Sequence, residues 1–227
     1  VRLLDVFSVH YYPASTAIAT DALRMQAPRS LADPTFTETS WITQNGNGFT
    51  DGRGLNLIPT LKRSIDDFYP GTKLAITEYS FEGRHNISGA IAQCDALGTF
   101  GREGVYLANY FFPVRDYITA AFRIYRNYDG QNSTFGDTTV ACTISDNAAG
   151  SSFASVDREG RLHLVVTNKN ATQSMGASIA IASATQWGKG SIWGLGPNST
   201  VITKLGDITA ANNMISYRVP PLTICHF

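Results

Sequence analysis

The sequence predicts an α/β domain followed by an all-β domain. Apolar runs with strand character alternate with helical patterns in the first part, whereas the second part shows only short strand patterns separated by turns. Strands that alternate with helices form parallel sheets, and eight short strands with turns roughly every ten residues are typical of a β-sandwich. The two patterns meet near residue 132. We therefore predict domains at residues 1–132 and 133–227.

The first predicted strand, Leu3 to Tyr12, alternates between two faces. The apolar face carries Phe7, Val9 and Tyr11. His10 and Tyr12 lie on the polar face, so we expect them to point into whatever cavity the sheet encloses. For His10, a core histidine with a satisfied hydrogen bond is the alternative interpretation. Pro13 ends the strand.

A long turn-rich connection over residues 14–54 follows this strand, and connections of that length are usually functional loops. Trp41 is its conspicuous residue, either stacking on a sugar ring or anchoring the loop. The segments after the loop alternate between helix and strand patterns. They are a helix over Leu55–Tyr69, a strand over Lys73–Ser80, a helix over Ser88–Phe100 capped by Ser88, a strand over Val105–Phe112 and a helix over Tyr117–Tyr128.

Glu78 lies where a predicted buried strand gives way to a loop. In parallel α/β folds chemistry gathers at the carboxyl ends of strands, so Glu78 is a candidate catalytic carboxylate. An ordinary solvent-exposed glutamate is the alternative. Three strand–helix units cannot close a barrel, which needs eight. Their polar strand ends nevertheless fit the last three βα units of a (β/α)8 TIM-like barrel better than a doubly wound nucleotide-binding sheet.

Composition and motifs exclude several function classes. Eighteen basic and eighteen acidic residues cancel, which offers no attraction to nucleic acid or to an anionic membrane. Glycine-rich phosphate loops, HExxH and paired CxxC motifs are absent from the sequence, so no cofactor and no metal site is predicted. No apolar run is long enough to span a membrane. A neutral, sugar-like ligand fits this composition best.

Other features bear on export and completeness. The chain opens within a strand and its first residues have no signal-peptide character, which suggests a missing upstream part. Four Asn-x-Ser/Thr matches lean slightly toward a secreted protein. Cys142 and Cys225 either pair or, together with Cys94, act as small buried hydrophobic residues.

Several segments together resemble glycoside hydrolase family 44. They are Leu3–Val6 leading to His10–Pro13, the loop from Asp33–Thr35 to Ser40–Ile42, Ala75–Tyr79, Arg126–Gly130, Ser133–Asp137 and, more loosely, Pro220–Leu222. That family comprises endo-acting β-1,4-glucanases and xyloglucanases with a (β/α)8 barrel followed by a β-sandwich. The resemblance implies that Glu78 is the nucleophile at the end of the seventh strand. It also implies that Tyr12 contacts Glu78, that His10 contacts the sugar and that Trp41 lies in a cleft loop.

The sequence departs from the family pattern at three points. Phe111 or Phe112 replaces a tryptophan that forms a platform under the reactive sugar, and Ala32 occupies a position that is often aromatic. The general acid/base of the family is a glutamate that follows an asparagine, and no Asn-Glu pair occurs here. Glu82 is the nearest substitute, but four extended residues span roughly 13 Å, whereas a retaining enzyme holds its carboxyl groups about 5–5.5 Å apart.

The resulting interpretation is a secreted, retaining endo-β-1,4-glucanase or xyloglucanase of which this chain is a fragment. Its expected partners are a β-glucan and the missing amino-terminal half of the barrel. General acid catalysis contributes about 10²- to 10⁴-fold in rate, so the isolated chain should be nearly inactive. Two alternatives remain open. One is a carbohydrate-binding or accessory protein without hydrolytic activity, and the other is an unrelated barrel hydrolase that uses Glu78 as a base.

Overall fold

The computed structural model of the chain describes residues 3–40, 43 and 54–227. The first part contains a parallel sheet with helices packed on one side, and the second part is antiparallel β-structure. The predicted order of an α/β part followed by an all-β part is therefore confirmed. Apolar side chains of both parts pack together in one core cluster. The domain boundary at residue 132 stays a prediction.

Among the described residues the parallel sheet consists of three strands, β1 Val6–Tyr11, β2 Lys73–Tyr79 and β3 Leu107–Tyr110, which lie side by side in that order. The helices of the same described part are α1 Asp21–Gln26, α2 Leu57–Phe68, α3 Ile87–Arg102 and α4 Asp116–Arg126. Two short 3₁₀ helices, Ser15–Ile18 and Ala27–Leu31, flank α1. The alternation predicted for β1 is confirmed, because its apolar face joins the core under α2 and α3 while His10 is exposed.

Helix α2 is amphipathic, as its sequence spacing predicted. Its buried residues are Leu57, Ile58, Leu61 and Ile65. Helix α3 is instead buried almost all round. It packs against the parallel sheet on one side and against the second part of the chain on the other. The predicted cap was wrong: Asn86 occupies the N-cap position without a side-chain cap bond. The hydroxyl of Ser88 instead donates to Asp21 Oδ1 at 2.7 Å.

The second part contains all eight predicted strands, and the prediction at Val201–Lys204 is displaced. They are β4 Thr138–Val140, β5 Gly150–Val156, β6 Leu162–Asn168, β7 Met175–Ala180, β8 Lys189–Leu195, β9 Thr203–Thr209, β10 Met214–Val219 and β11 Thr223–His226. Six strands form an antiparallel sheet in the order β4-β5-β6-β11-β8-β9. The β7–β10 ribbon covers one face of this sheet, and helices α3 and α4 cover the other.

Two buried polar links join the second part of the chain to these helices. Lys169 Nζ lies 2.6 Å from Asp95 Oδ2 of α3. His226 Nδ1 lies 2.7 Å from the carbonyl oxygen of Ile124 in α4, and since a carbonyl only accepts, the imidazole donates. His163 Nδ1 contacts the other ring nitrogen of His226 at 3.0 Å. Burial lowers the pKa of His226 to about 3, so the neutral ring is the form that links the two parts.

The three cysteines are free thiols, so the alternative of a Cys142–Cys225 disulfide was wrong. Cys94 and Cys225 are buried, as expected of small hydrophobic residues, and Cys142 is half-buried. Burial raises the pKa of Cys225 to about 12, which keeps this thiol protonated. Within the described ranges, no helix combines the length and apolar character needed to cross a membrane.

Candidate active site

Glu78 lies at the carboxyl end of β2, the central strand of the parallel sheet. Its backbone is in register with His10 of the neighbouring strand. His10 Nδ1 approaches Glu78 Oε2 to 3.3 Å. About a third of the Glu78 side chain is exposed, 32%, and His10 is more open at 56%. The carboxylate is therefore reachable from solvent and adjacent to the histidine predicted to share its cavity.

Tyr12 contacts the same carboxylate oxygen. Its hydroxyl donates a 2.8 Å hydrogen bond to Glu78 Oε2. Partial desolvation, followed by the hydrogen bond and the negative charge of Glu78, raises the pKa of Tyr12 to about 12. Tyr12 thus remains a proton donor at any physiological pH and holds one carboxylate oxygen in place. The other oxygen, Oε1, makes no hydrogen bond with the described residues.

A β-bulge in β2 accounts for the direction of Glu78. Val9 pairs with Ile76, but the next residue, His10, pairs with Glu78 rather than with Thr77. The same extra residue is seen against β3, where Ile76 pairs with Ala108 and Tyr79 with Tyr110. A bulge of one residue re-aims the side chains that follow it. Glu78 consequently lies on the sheet face of His10, away from the core under the helices.

Phe111 and Phe112 extend the site beyond Tyr12. Phe111 lies edge-on to Tyr12 with ring centroids 6.1 Å apart, and Phe112 lies edge-on to Phe111 at 5.2 Å. All three rings are exposed, at 39% for Tyr12, 54% for Phe111 and 46% for Phe112. Exposed rings beside a carboxylate offer apolar faces and edges on which a sugar ring can stack.

Trp41, the predicted residue of the cleft loop, lies outside the described residues. Ala32 is half-buried at the end of a 3₁₀ helix.

Glu82 is unsuited to be the second carboxyl group. It belongs to the loop after β2, is exposed and adopts a left-handed backbone with φ of 58°. Tyr110, whose pKa is raised by burial and further by the Glu82 charge, packs against the core on the helix side of the sheet. Among the described residues Glu82 makes no hydrogen bond or ion pair with Glu78, His10 or Tyr12. The described residues also include no group of three His, Cys, Asp or Glu side chains able to hold a metal ion.

The loop that follows Glu78 is held by α1. Gly83 has a φ of 73°, and a Cβ there would lie 2.6 Å from the Arg24 side chain and 3.0 Å from the backbone of Gly89. Arg24 in turn contacts Asp21 at 2.7 Å and Ser88 at 3.0 Å. This support leaves no local signal in the sequence, because Arg24 and Ser88 are 64 residues apart. The loop is thereby packed closely at the site's edge.

Comparison with known proteins identifies two endoglucanases as relatives, although no family model matches the chain. Endoglucanase A of Paenibacillus lautus is 43% identical over 242 residues, covering 99% of this chain and 34% of the relative. Beta-mannanase/endoglucanase A of Caldicellulosiruptor saccharolyticus is 37% identical over 246 residues, covering 96% of this chain and 18% of the relative. The chain thus spans about a third of the first relative and less than a fifth of the second.

Solved structures give the same result. A glycoside hydrolase family 44 endoglucanase produced by Clostridium acetobutylium superposes with a TM-score of 0.92 at 42% identity, covering 99% of this chain and 46% of the other. A family 44 xyloglucanase of Paenibacillus polymyxa superposes with a TM-score of 0.91 at 43% identity and the same coverage. An arabinofuranosidase of Thermotoga maritima, at 14% identity and a TM-score of 0.66, shares only the fold.

These similarities define a glycoside hydrolase module. Within that class the chain belongs to family 44, as its sequence motifs predicted, and it covers 46% of each of these two solved family 44 structures. The resemblance inferred from His10–Pro13, Ala75–Tyr79 and the other segments is thereby confirmed.

Proposed function

We propose that the chain is the carboxyl-terminal part of a secreted, retaining endo-β-1,4-glucanase or xyloglucanase in which Glu78 is the nucleophile. The contact of Tyr12 with Glu78 Oε2 at 2.8 Å carries this proposal. One carboxylate oxygen is fixed by a phenol, and the other is left without a partner among the described residues. A carboxylate held in this way can attack an anomeric carbon in line, which is the first step of the retaining mechanism.

Tyr12 and His10 have separate roles in this mechanism. As Glu78 forms a bond to the sugar, the negative charge on its carboxylate falls. The hydroxyl oxygen of Tyr12 can then turn toward the ring oxygen of the sugar, where positive charge develops in the oxocarbenium-like transition state. His10, 56% exposed and beside Glu78, lies where it can hydrogen-bond a sugar hydroxyl. Phe111 and Phe112 supply apolar surface under the sugar.

The strands β1, β2 and β3 would be the last three of an eight-stranded barrel. Each outer strand of the parallel sheet pairs on one side only with another described strand. An open strand edge presents unpaired backbone groups and favours further strand pairing. The relatives are long enough to contain the other five strands of such a barrel, because the chain covers only 46% of the solved endoglucanase. The upstream part would also supply the acid/base carboxyl group.

A chimera tests the nucleophile directly. In this chimera the chain replaces the matching carboxyl-terminal part of the Paenibacillus polymyxa xyloglucanase, to which it is 43% identical. We expect the chimera to hydrolyse xyloglucan or cellulose, Glu78→Gln to lower kcat by several orders of magnitude and Glu82→Gln, the matched control, to leave kcat unchanged. Substantial activity of the Glu78→Gln chimera would exclude the nucleophile role.

Two further measurements separate the alternatives. A 2-fluoro glycoside with an activated leaving group should trap a covalent adduct on Glu78, detectable by peptide mass spectrometry. Labelling elsewhere would favour a different barrel hydrolase. The isolated chain should bind glucans weakly and be nearly inactive in hydrolysis, because general acid catalysis is absent. Binding of xyloglucan by residues 133–227 alone would instead support an accessory, carbohydrate-binding function.

A further inference from the structure

The bulge in β2 turns two consecutive residues toward the site instead of one. Ile76 and Tyr79 both belong to the core cluster under the helices. In a regular strand, residues three apart face opposite sides of the sheet. Because these two face the same side, both residues between them, Thr77 and Glu78, are turned away from the core, and both are half-exposed. Thr77 therefore lies next to the candidate nucleophile on the same face.

Asn109 of β3 faces the same space from the other side of Glu78. It is the single residue between Ala108 and Tyr110, and both of these pack against the core under the helices. Alternation places Asn109 on the opposite face, where it is exposed. The pairing of β2 with β3 sets Asn109 against the bulge, while the pairing with β1 sets His10 there. Glu78 is thus flanked by one polar side chain on each neighbouring strand.

The polar groups of these two residues are unused by the described part of the chain. Neither the Thr77 hydroxyl nor the Asn109 carboxamide has a hydrogen-bond partner within residues 3–40, 43 and 54–227. A hydroxyl and a carboxamide each donate and accept, which is the capacity needed to bind sugar hydroxyl groups in either orientation. A charged pair in their place would bind a neutral ligand less well, because it would have to be desolvated.

We propose that Thr77 and Asn109 are substrate-contacting residues of the subsite that contains Glu78, where they hydrogen-bond to hydroxyl groups of one β-1,4-linked glucose unit. The proposal rests on the function proposed above. It adds two residues that fix the orientation of the sugar over the carboxylate, one beside Glu78 on its own strand and one across from His10. Such residues contribute to recognition of the equatorial hydroxyl pattern of glucose rather than to the chemical step alone.

Binding to an inactive chimera tests this separately from catalysis. In the Glu78→Gln chimera, Thr77→Val and Asn109→Ala should each weaken the affinity for cellotetraose about three- to tenfold by isothermal titration calorimetry, since each removes one or two neutral hydrogen bonds. Thr209→Val and Asn198→Ala are matched controls on exposed residues of the second part, and they should leave the affinity unchanged.

Each other outcome overturns a defined part of this reasoning. Unchanged affinity in Thr77→Val and Asn109→Ala, with a lowered Tm, would assign both residues to packing against the rest of the barrel. Absence of any cellotetraose binding by the Glu78→Gln chimera would overturn both the subsite and the substrate class. If Glu78→Gln leaves hydrolysis intact, only the nucleophile assignment fails, and the affinity comparison still decides the roles of Thr77 and Asn109.

Discussion

Removing the ammonium group of Lys169 tests whether a buried ion pair holds α3 against the second part of the chain. Lys169 follows β6, and its Nζ lies 2.6 Å from Asp95 Oδ2, with side-chain exposures of 3% and 6%. Ser151 donates a hydrogen bond to the other carboxylate oxygen. Lys169→Met keeps the apolar stem but leaves Asp95 as a buried charge with a single neutral partner.

Breaking a buried pair from one side costs about 3–5 kcal/mol, a large part of the roughly 5–15 kcal/mol by which a domain is stable. We expect Lys169→Met to lower the free energy of unfolding by that amount in urea titrations followed by circular dichroism. Adding Asp95→Leu should recover much of the loss, because the unpaired charge is removed as well.

The exposed pair of Arg158 with Asp137 provides the control. Its side chains are 86% and 53% exposed and its nitrogen–oxygen distance is 2.9 Å, similar to the buried pair. Arg158→Met should therefore leave the urea midpoint essentially unchanged, since exposed pairs are screened by solvent. If Lys169→Met lost no more stability than Arg158→Met, burial would not determine the strength of the Lys169 link and the reasoning would be refuted.

Three further predictions concern single residues. Partial desolvation, the hydrogen bond to Glu78 and the negative charge of Glu78 together raise the pKa of Tyr12 to about 12. Glu78→Gln removes the charge and changes the hydrogen bond. NMR of the Tyr12 ring carbon that carries the hydroxyl should therefore show this phenol titrating at a lower pH. Burial lowers the pKa of His226 from 6.5 to about 3. Between these values the unfolded chain binds a proton that the folded chain excludes. The free energy of unfolding should therefore fall as the pH drops through that window, by up to about 1.4 kcal/mol per pH unit. His226→Gln should flatten the fall, and an unchanged slope would contradict the assignment. Gly98→Ala would place a Cβ 2.4 Å from an aromatic ring and should cost about 1–3 kcal/mol. Gly101→Ala in the same helix meets nothing within 4 Å and should stabilise by about 0.5–1 kcal/mol, so the reverse order in thermal unfolding would contradict the packing.

The kinds of secondary structure could be predicted because local patterns determine them. The spacing of Leu57, Leu61 and Ile65 indicated α2, and the eight short strand patterns of the second part all correspond to strands. Predicted ends were less exact where tertiary contacts decide them. β3 is four residues long rather than the eight of Val105–Phe112. Ser88 is not the cap because the helix already begins at Ile87, and its hydroxyl instead donates to Asp21, which is distant in sequence.

The direction of Glu78 could not be predicted from the alternation of its own strand. Leu74 and Ile76 are buried in the core under the helices, and a regular strand would place Glu78 on that same face. A carboxylate buried there without a partner would cost several kcal/mol in desolvation. The register that avoids this cost is defined only relative to β1 and β3, so it leaves no periodic signal within residues 73–79.

Family resemblance supplied what periodicity could not, because His10, Tyr12 and Glu78 had to be recognised together before their contact was known. The structure gives the physical reason why they meet. The extra residue in β2 moves Glu78 from the core face to the face of His10, where Tyr12 donates to it at 2.8 Å. A difference of one residue in register therefore decides both whether this strand is compatible with an apolar core and whether its carboxylate is available to a substrate.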